Sequence, residues 1–124
     1  MIFGIGTDLC AADRMAAKLQ KPAFVQRIFS PAEQALLNER GGTHRAETAA
    51  ANFAAKEAFV KAVGTGLRGG RLTEIEVIND ALGRPQLVLY GYFKDYAKGL
   101  GTEKIHLTLS HTKELAMAQV ILEG

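Results

Sequence analysis

The chain has 124 residues, 48% of them apolar, and 15 Lys and Arg stand against 13 Asp and Glu for a formal net charge of +2. That length suits one domain spanning 1–124, and a chain so short leaves much of its surface exposed, so subunit association is one way to bury more. The charge balance offers nothing to nucleic acid, no window reaches the ~18 apolar residues of a membrane span, and a single cysteine, Cys10, excludes an internal disulfide or a cysteine metal cluster and fits a reduced, cytoplasmic setting.

Residues 2–9, IFGIGTDL, read as a short strand without the basic start and long apolar run of a signal peptide. Alternation puts Ile2, Gly4, Gly6 and Asp8 on one face and Phe3, Ile5, Thr7 and Leu9 on the other. Glycine weakens a strand unless a neighbour must approach its backbone, so Asp8 shares its face with two positions that carry no side chain. Residues 11–20 predict a helix that Lys21-Pro22 interrupts, and a second short helix runs through Ile28. Arg14, Lys18, Lys21 and Arg27 fall within 14–28, where there is no acid. Such a stretch is either a solvated face or a docking surface for an acidic partner. Ser30-Pro31-Ala32-Glu33 starts a third helix, with Ser30 as cap, Pro31 at the first helical position and Glu33 completing a capping box. It should end near Gly41-Gly42.

A long helix is expected over 45–63, with Ala49, Phe53, Ala54, Val60 and Val63 near helical spacing and alanines that permit close packing. Gly64 and Gly66 stop it. Strands follow at 72–78 and 85–90 around the turn NDALGR, then a helix at 92–101. Strands at 104–110 and 115–122 form a hairpin through HTKE. Helices early and antiparallel strands late indicate an α+β fold with the long helix packed on an antiparallel sheet.

Several residues could carry chemistry. Asp8 is either a turn aspartate that starts the next helix or a ligand for a divalent ion. Glu57 and Lys61, four apart on one helical face, are either a surface ion pair or, beside Gly64-Thr65-Gly66, part of a phosphate site. Lys56, about 100° round the helix, reads as solvated. Gly64-Thr65-Gly66 is not a P-loop, because it follows a helix instead of preceding one; it caps the helix and could also meet a ligand. Ser110-His111 resembles a hydrolase pair only superficially, since neighbours on a strand point apart and no nucleophile turn surrounds them. His111 at a strand end is either a phosphate contact or a turn residue. His44 and His106 have no companion at zinc spacing.

Four blocks in order, GIGTDL, FAAKEAFVKAVGTG, NDALGRP and LSHTKELAMAQVI, resemble the holo-acyl-carrier-protein synthases, the small 4′-phosphopantetheinyl transferases, over nearly the whole chain. The resemblance implies the α+β 4′-phosphopantetheinyl transferase fold, a homotrimer with active sites at its subunit interfaces, and a cytoplasmic role in fatty acid biosynthesis. It implies transfer of 4′-phosphopantetheine from coenzyme A, as co-substrate, to a serine of apo acyl carrier protein, with Mg2+ and with adenosine 3′,5′-bisphosphate as the other product. By the same resemblance Asp8 and Glu57 are the metal ligands and, with Lys61, the catalytic set. Lys61, Gly64, Thr65, Gly66, Pro85, Ser110, His111 and Thr112 would face coenzyme A, and Arg14, with Lys18 and Lys21, would face the acidic carrier protein. One position departs: Asn52 stands where many relatives carry arginine, so Arg45 or His44 would substitute. The competing readings are a magnesium-dependent nucleotide phosphohydrolase and a nucleotide-binding module without activity.

Overall fold

The computed structural model describes residues 1–124. The elements are β1 (Ile2–Ala11), α1 (Ala12–Lys18), α2 (Pro22–Ile28), α3 (Pro31–Glu39), α4 (Gly42–Val63), a 3-10 turn (Leu72–Glu74), β2 (Ile75–Asn79), β3 (Pro85–Leu89), α5 (Gly91–Gly99), β4 (Lys104–His111) and β5 (Leu115–Glu123). β4 and β5 form the expected hairpin, and β1 adds antiparallel to the far side of β5, giving the order β1-β5-β4. β2 and β3 form a separate antiparallel pair. The architecture is the expected α+β.

The glycines of β1 let α4 lie against bare backbone. A Cβ on Gly6 would collide with the Ala58 carbonyl oxygen, and one on Gly4 with that of Ala62. Alanine on the helix and glycine on the strand therefore act as one surface, closer than side chains would allow. Ala49, Ala50, Ala54, Ala55 and Ala58 are all fully buried, so α4 is the axis of the core and not an amphipathic surface helix. Against its sheet side stand Ala116, Ala118, Val120 and Leu122 of β5, and Phe59 meets Phe93 of α5 edge to face at 5.6 Å between ring centres.

Lys56 corrects the expectation of a solvated lysine: it is 0% exposed. Its ammonium donates to Glu33 Oε1 at 2.6 Å and to the carbonyls of Leu72 and Ile75 at 3.0 and 2.6 Å. Glu33 completes the expected capping box with Ser30 and also accepts from the Val77 amide at 2.9 Å. Burial lowers the Lys56 pKa, against the opposing pull of Glu33. One ion pair thus ties α3, α4 and β2 together, and every donor and acceptor in it has a partner. It also explains why the segment expected as a strand from 72 winds into a 3-10 turn first: the lysine collects two carbonyls that a straight strand would point apart. Helix α4 begins at Gly42, earlier than expected, because Gly42 adopts φ 57 and turns the chain directly out of α3.

The sheet face away from α4 is apolar and open. Ile5 pairs with Ile121, Leu9 with Met117 and Ala11 with Leu115. Ile5 and Leu9 are 57% and 58% exposed.

Two stability outcomes follow. Gly6→Ala should cost about 1–3 kcal/mol in urea unfolding, because strand and helix must separate. Lys56→Met should cost about 3–5 kcal/mol by leaving the Glu33 carboxylate buried without its cation, and adding Glu33→Gln should recover part of that loss.

Candidate functional site

Strand β1 and helix α4 bring Asp8, Glu57 and Lys61 together although the first lies some fifty residues from the others. Asp8 follows Gly4 and Gly6 on the face that α4 covers, and the close packing at those glycines carries the helix past it. Lys61 donates to Asp8 Oδ1 at 2.9 Å and to the Thr7 carbonyl at 3.0 Å. The lysine therefore pairs with the strand carboxylate across the fold and not with Glu57 one turn earlier on its own helix. Glu57 is half-buried, and its carboxyl is pushed above the usual range by burial and then by the negative charge of Asp8, with Lys61 and Lys18 pulling the other way.

Two carboxylates crowded together, one of them penalised for its charge, fit a divalent cation. The chain supplies no cluster of three His, Cys, Asp or Glu that could hold a metal. Asp8 and Glu57 alone match an ion such as magnesium, which takes one or two carboxylates and keeps the rest of its sphere for water and phosphate oxygens.

Just beyond Lys61, α4 ends at Gly64 in the left-handed conformation, φ 81, and Gly66 follows at φ 67. The Gly64 amide is committed to the Val60 carbonyl as the helix cap, so the amides free for a ligand belong to Thr65 and Gly66. The Thr65 hydroxyl donates to the Gly66 carbonyl.

The other expected residues gather elsewhere. A cleft of about 340 Å³ lies between the first half of α4, the β2–β3 turn and the end of β4. Pro85 and His111 line it, with Arg40, His44, Glu47, Asn52 and Asn79 among their neighbours. His44, one of the two expected substitutes for an arginine, is here; Arg45 is not, and Arg40 takes its place. Arg40 escaped sequence reading because it sits past the end of α3, where only the fold sends it back toward α4. Ser110 pairs with Met117 on the opposite face of the sheet and does not reach the cleft. The Thr112 hydroxyl accepts from the amides of Glu114 and Leu115 at 3.2 and 3.1 Å, and so closes the β4–β5 turn.

The two groups occupy opposite flanks of α4. Thr48 precedes Glu57, and Asn52 precedes Lys61, by nine residues, about two and a half helical turns, and both Thr48 and Asn52 line the cleft. The body of the helix stands between them.

The basic stretch forms a third feature. Arg14 and Lys21 are exposed, and Lys18 lies 5.5 and 5.7 Å over the rings of Phe24 and Phe53. Arg14 and Lys18 also rim a small cavity with Leu9, Cys10, Met15 and Phe53.

Comparison with known proteins gives one answer. Residues 4–120 match the model of the 4′-phosphopantetheinyl transferase superfamily. The chain is 48% identical to the holo-(acyl-carrier-protein) synthase of Trichlorobacter lovleyi, over 100% of this chain and 99% of that one, and 43% identical to that of Lachnoclostridium phytofermentans, over 99% and 97%. Among solved structures, the holo-(acyl-carrier-protein) synthase of Neisseria meningitidis superposes with a TM-score of 0.89 at 34% identity, covering 100% of both chains. That of Bacillus anthracis, in complex with CoA (3′,5′-ADP), superposes with a TM-score of 0.84 at 37% identity, covering 98% of this chain and 96% of that one.

The charge crowding at Glu57 gives a signed prediction. A carboxyl whose folded pKa lies above its unfolded value weakens the fold once pH exceeds that raised value, and the penalty vanishes below the unfolded value. Glu57→Gln should therefore raise the melting temperature of the metal-free protein at pH 8 and leave it unchanged near pH 3.5. Asp8→Asn should move the Glu57 titration midpoint, read by carboxyl NMR, downward.

Proposed function

The chain belongs to the 4′-phosphopantetheinyl transferase superfamily, and on that premise we propose how its residues divide the work of the reaction. It transfers 4′-phosphopantetheine from coenzyme A to a serine of apo acyl carrier protein and releases adenosine 3′,5′-bisphosphate. The observation that carries the assignment of roles is the meeting of Asp8, Glu57 and Lys61 at the end of α4.

Asp8 and Glu57 would hold the magnesium ion. Bound there, magnesium supplies charge neutralisation and polarisation at the pyrophosphate. The serine hydroxyl of the carrier protein forms a bond to the β-phosphorus, and the bond from that phosphorus to the bridging oxygen breaks. Glu57 accepts the serine proton through a water molecule. Lys61 leaves Asp8 for the pyrophosphate, and with the Thr65 and Gly66 amides it stabilises charge collecting on the departing bisphosphate. A hydrolytic alternative lacks support in the relatives, and the chain need activate no serine of its own, since the nucleophile arrives on the partner.

Pro85 and His111 serve the nucleotide end of coenzyme A from the cleft on the far flank of α4. One copy cannot present both flanks to one ligand, so a second copy completes the site, and the family's homotrimer meets that need. The open apolar face of Ile5, Leu9, Leu115 and their neighbours is the surface such an assembly would cover. The exposed Arg14 and Lys21, with the half-buried Lys18, meet the acidic carrier protein. The lone cysteine suits the cytoplasm, where holo carrier protein would feed fatty acid biosynthesis.

Incubation with apo carrier protein, coenzyme A and magnesium should add one phosphopantetheine mass to the carrier protein; no gain would refute the activity. Asp8→Asn and Glu57→Gln should each lower kcat by at least about 100-fold, the scale of losing one electrostatic stabiliser. Arg14→Ala should raise KM for carrier protein more than for coenzyme A, with the gap closing at high salt. Mixing inactive Glu57→Gln with inactive His111→Ala should restore activity after subunit exchange, and a mixture that stays inactive would place both flanks' work in a single copy.

A further inference from the structure

Asn52 stands out on the wall of the cleft. It is 5% exposed, it lines the cleft, and its amide takes part in no hydrogen bond with the rest of the chain. The residue is packed into the helix wall, but its amide is not sealed off and opens into the cleft, where it faces whatever the cleft receives. Nothing in the mechanism above uses it.

The charges around it nearly cancel. Arg40, at the end of α3, brings one guanidinium, and Glu47, on α4, brings one carboxylate that faces the His44 ring at 3.7 Å. His44 and His111 are the remaining ionisable groups of the lining. The β2–β3 turn contributes Asn79, Gly83 and Pro85, all neutral, and its Asp80 and Arg84 face each other at 3.9 Å. Pro85, Leu109 and Ala51 supply apolar walls suited to a nucleobase.

A phosphomonoester carries close to two negative charges at about pH 8, and tight selection for it calls for fixed cations or several charge-assisted hydrogen bonds. The cleft has one guanidinium, offset by a carboxylate, and at its buried wall a neutral amide. We infer that Asn52 makes this enzyme weakly selective for the 3′-phosphate of its donor, so that coenzyme A lacking that phosphate is a true second substrate. The inference rests on the reading that the nucleotide end of coenzyme A occupies this cleft. Asn52 donates one neutral hydrogen bond to the nucleotide whether or not the 3′-phosphate is present, and the bond-making at the β-phosphorus is the same for both donors.

The test compares kcat/KM for coenzyme A and for dephospho-coenzyme A at pH 8, with apo carrier protein and magnesium and with intact mass as readout. The two values should lie within about tenfold, less than one charge-assisted hydrogen bond contributes at its best. A preference for coenzyme A beyond that overturns the inference. Asn52→Asp keeps the size and shape of the side chain and reverses the local charge, so it should turn the preference toward dephospho-coenzyme A. Asn52→Arg should widen the preference for coenzyme A to at least about tenfold above wild type. Calorimetric binding of adenosine 3′,5′-bisphosphate against adenosine 5′-monophosphate reads the same selectivity without turnover, and a ratio unmoved by either variant overturns the role of Asn52. No transfer from either donor would instead sink the transferase reading itself.

Discussion

Helix α4 rests on the backbone of β1 with no side chain between them, and the site follows from that contact. Gly4 and Gly6 leave room for the carbonyls of Ala62 and Ala58, and larger residues at either strand position would lift the helix away. Because the helix lies so low, Lys61 can reach both the Thr7 carbonyl and the Asp8 carboxylate with one ammonium group. Glu57, one turn earlier, then falls within the field of Asp8. A close pair of carboxylates thus arises from a packing requirement on residues that have almost no side chains.

The Lys56–Glu33 pair fixes what the glycine contact leaves free. Sliding or rotating α4 along β1 would be tolerated by alanines, which are nearly featureless. Lys56 is not featureless: its three bonds reach Glu33, the Leu72 carbonyl in the 3-10 turn and the Ile75 carbonyl at the start of β2, and Glu33 binds β2 in turn. A buried ion pair adds little net stability over a well-packed apolar pair but tolerates only one geometry. Here that geometry sets which face of α4 meets β1. It also directs Glu57 and Lys61 to one flank and Thr48 and Asn52 to the other.

The electrostatics show a fold that accepts strain where it works. Glu57 is held at a cost to its charged form, and its carboxylate neighbour finds relief only through a lysine more than half exposed to solvent. An exposed pair of that kind is weak and easily exchanged. The Lys61 ammonium is therefore held only loosely by Asp8. The core, by contrast, pairs its one buried lysine completely.

Much of this was legible in the residues. The alternation of IFGIGTDL with its two glycines announces a strand that something must approach closely, the Ser30–Glu33 box announces a helix start, and the Gly-Thr-Gly announces where the long helix stops. These are local rules of backbone geometry, and short-range sequence suffices for them. Four ordered blocks carried the family as well. Lys56 and Lys61 were read wrongly or ambiguously for a common reason. Their side chains find partners on elements far away in the chain, and helical spacing reports only neighbours three or four residues apart. The same holds for Arg40 and Asn52, which become parts of a cleft only when the β2–β3 turn and the end of β4 close over α4. The sequence by itself determined the elements, their order and the chemistry available to them. Only the tertiary structure decided which charges meet and which flank of α4 each residue faces, because those depend on how α4 is seated and rotated on β1.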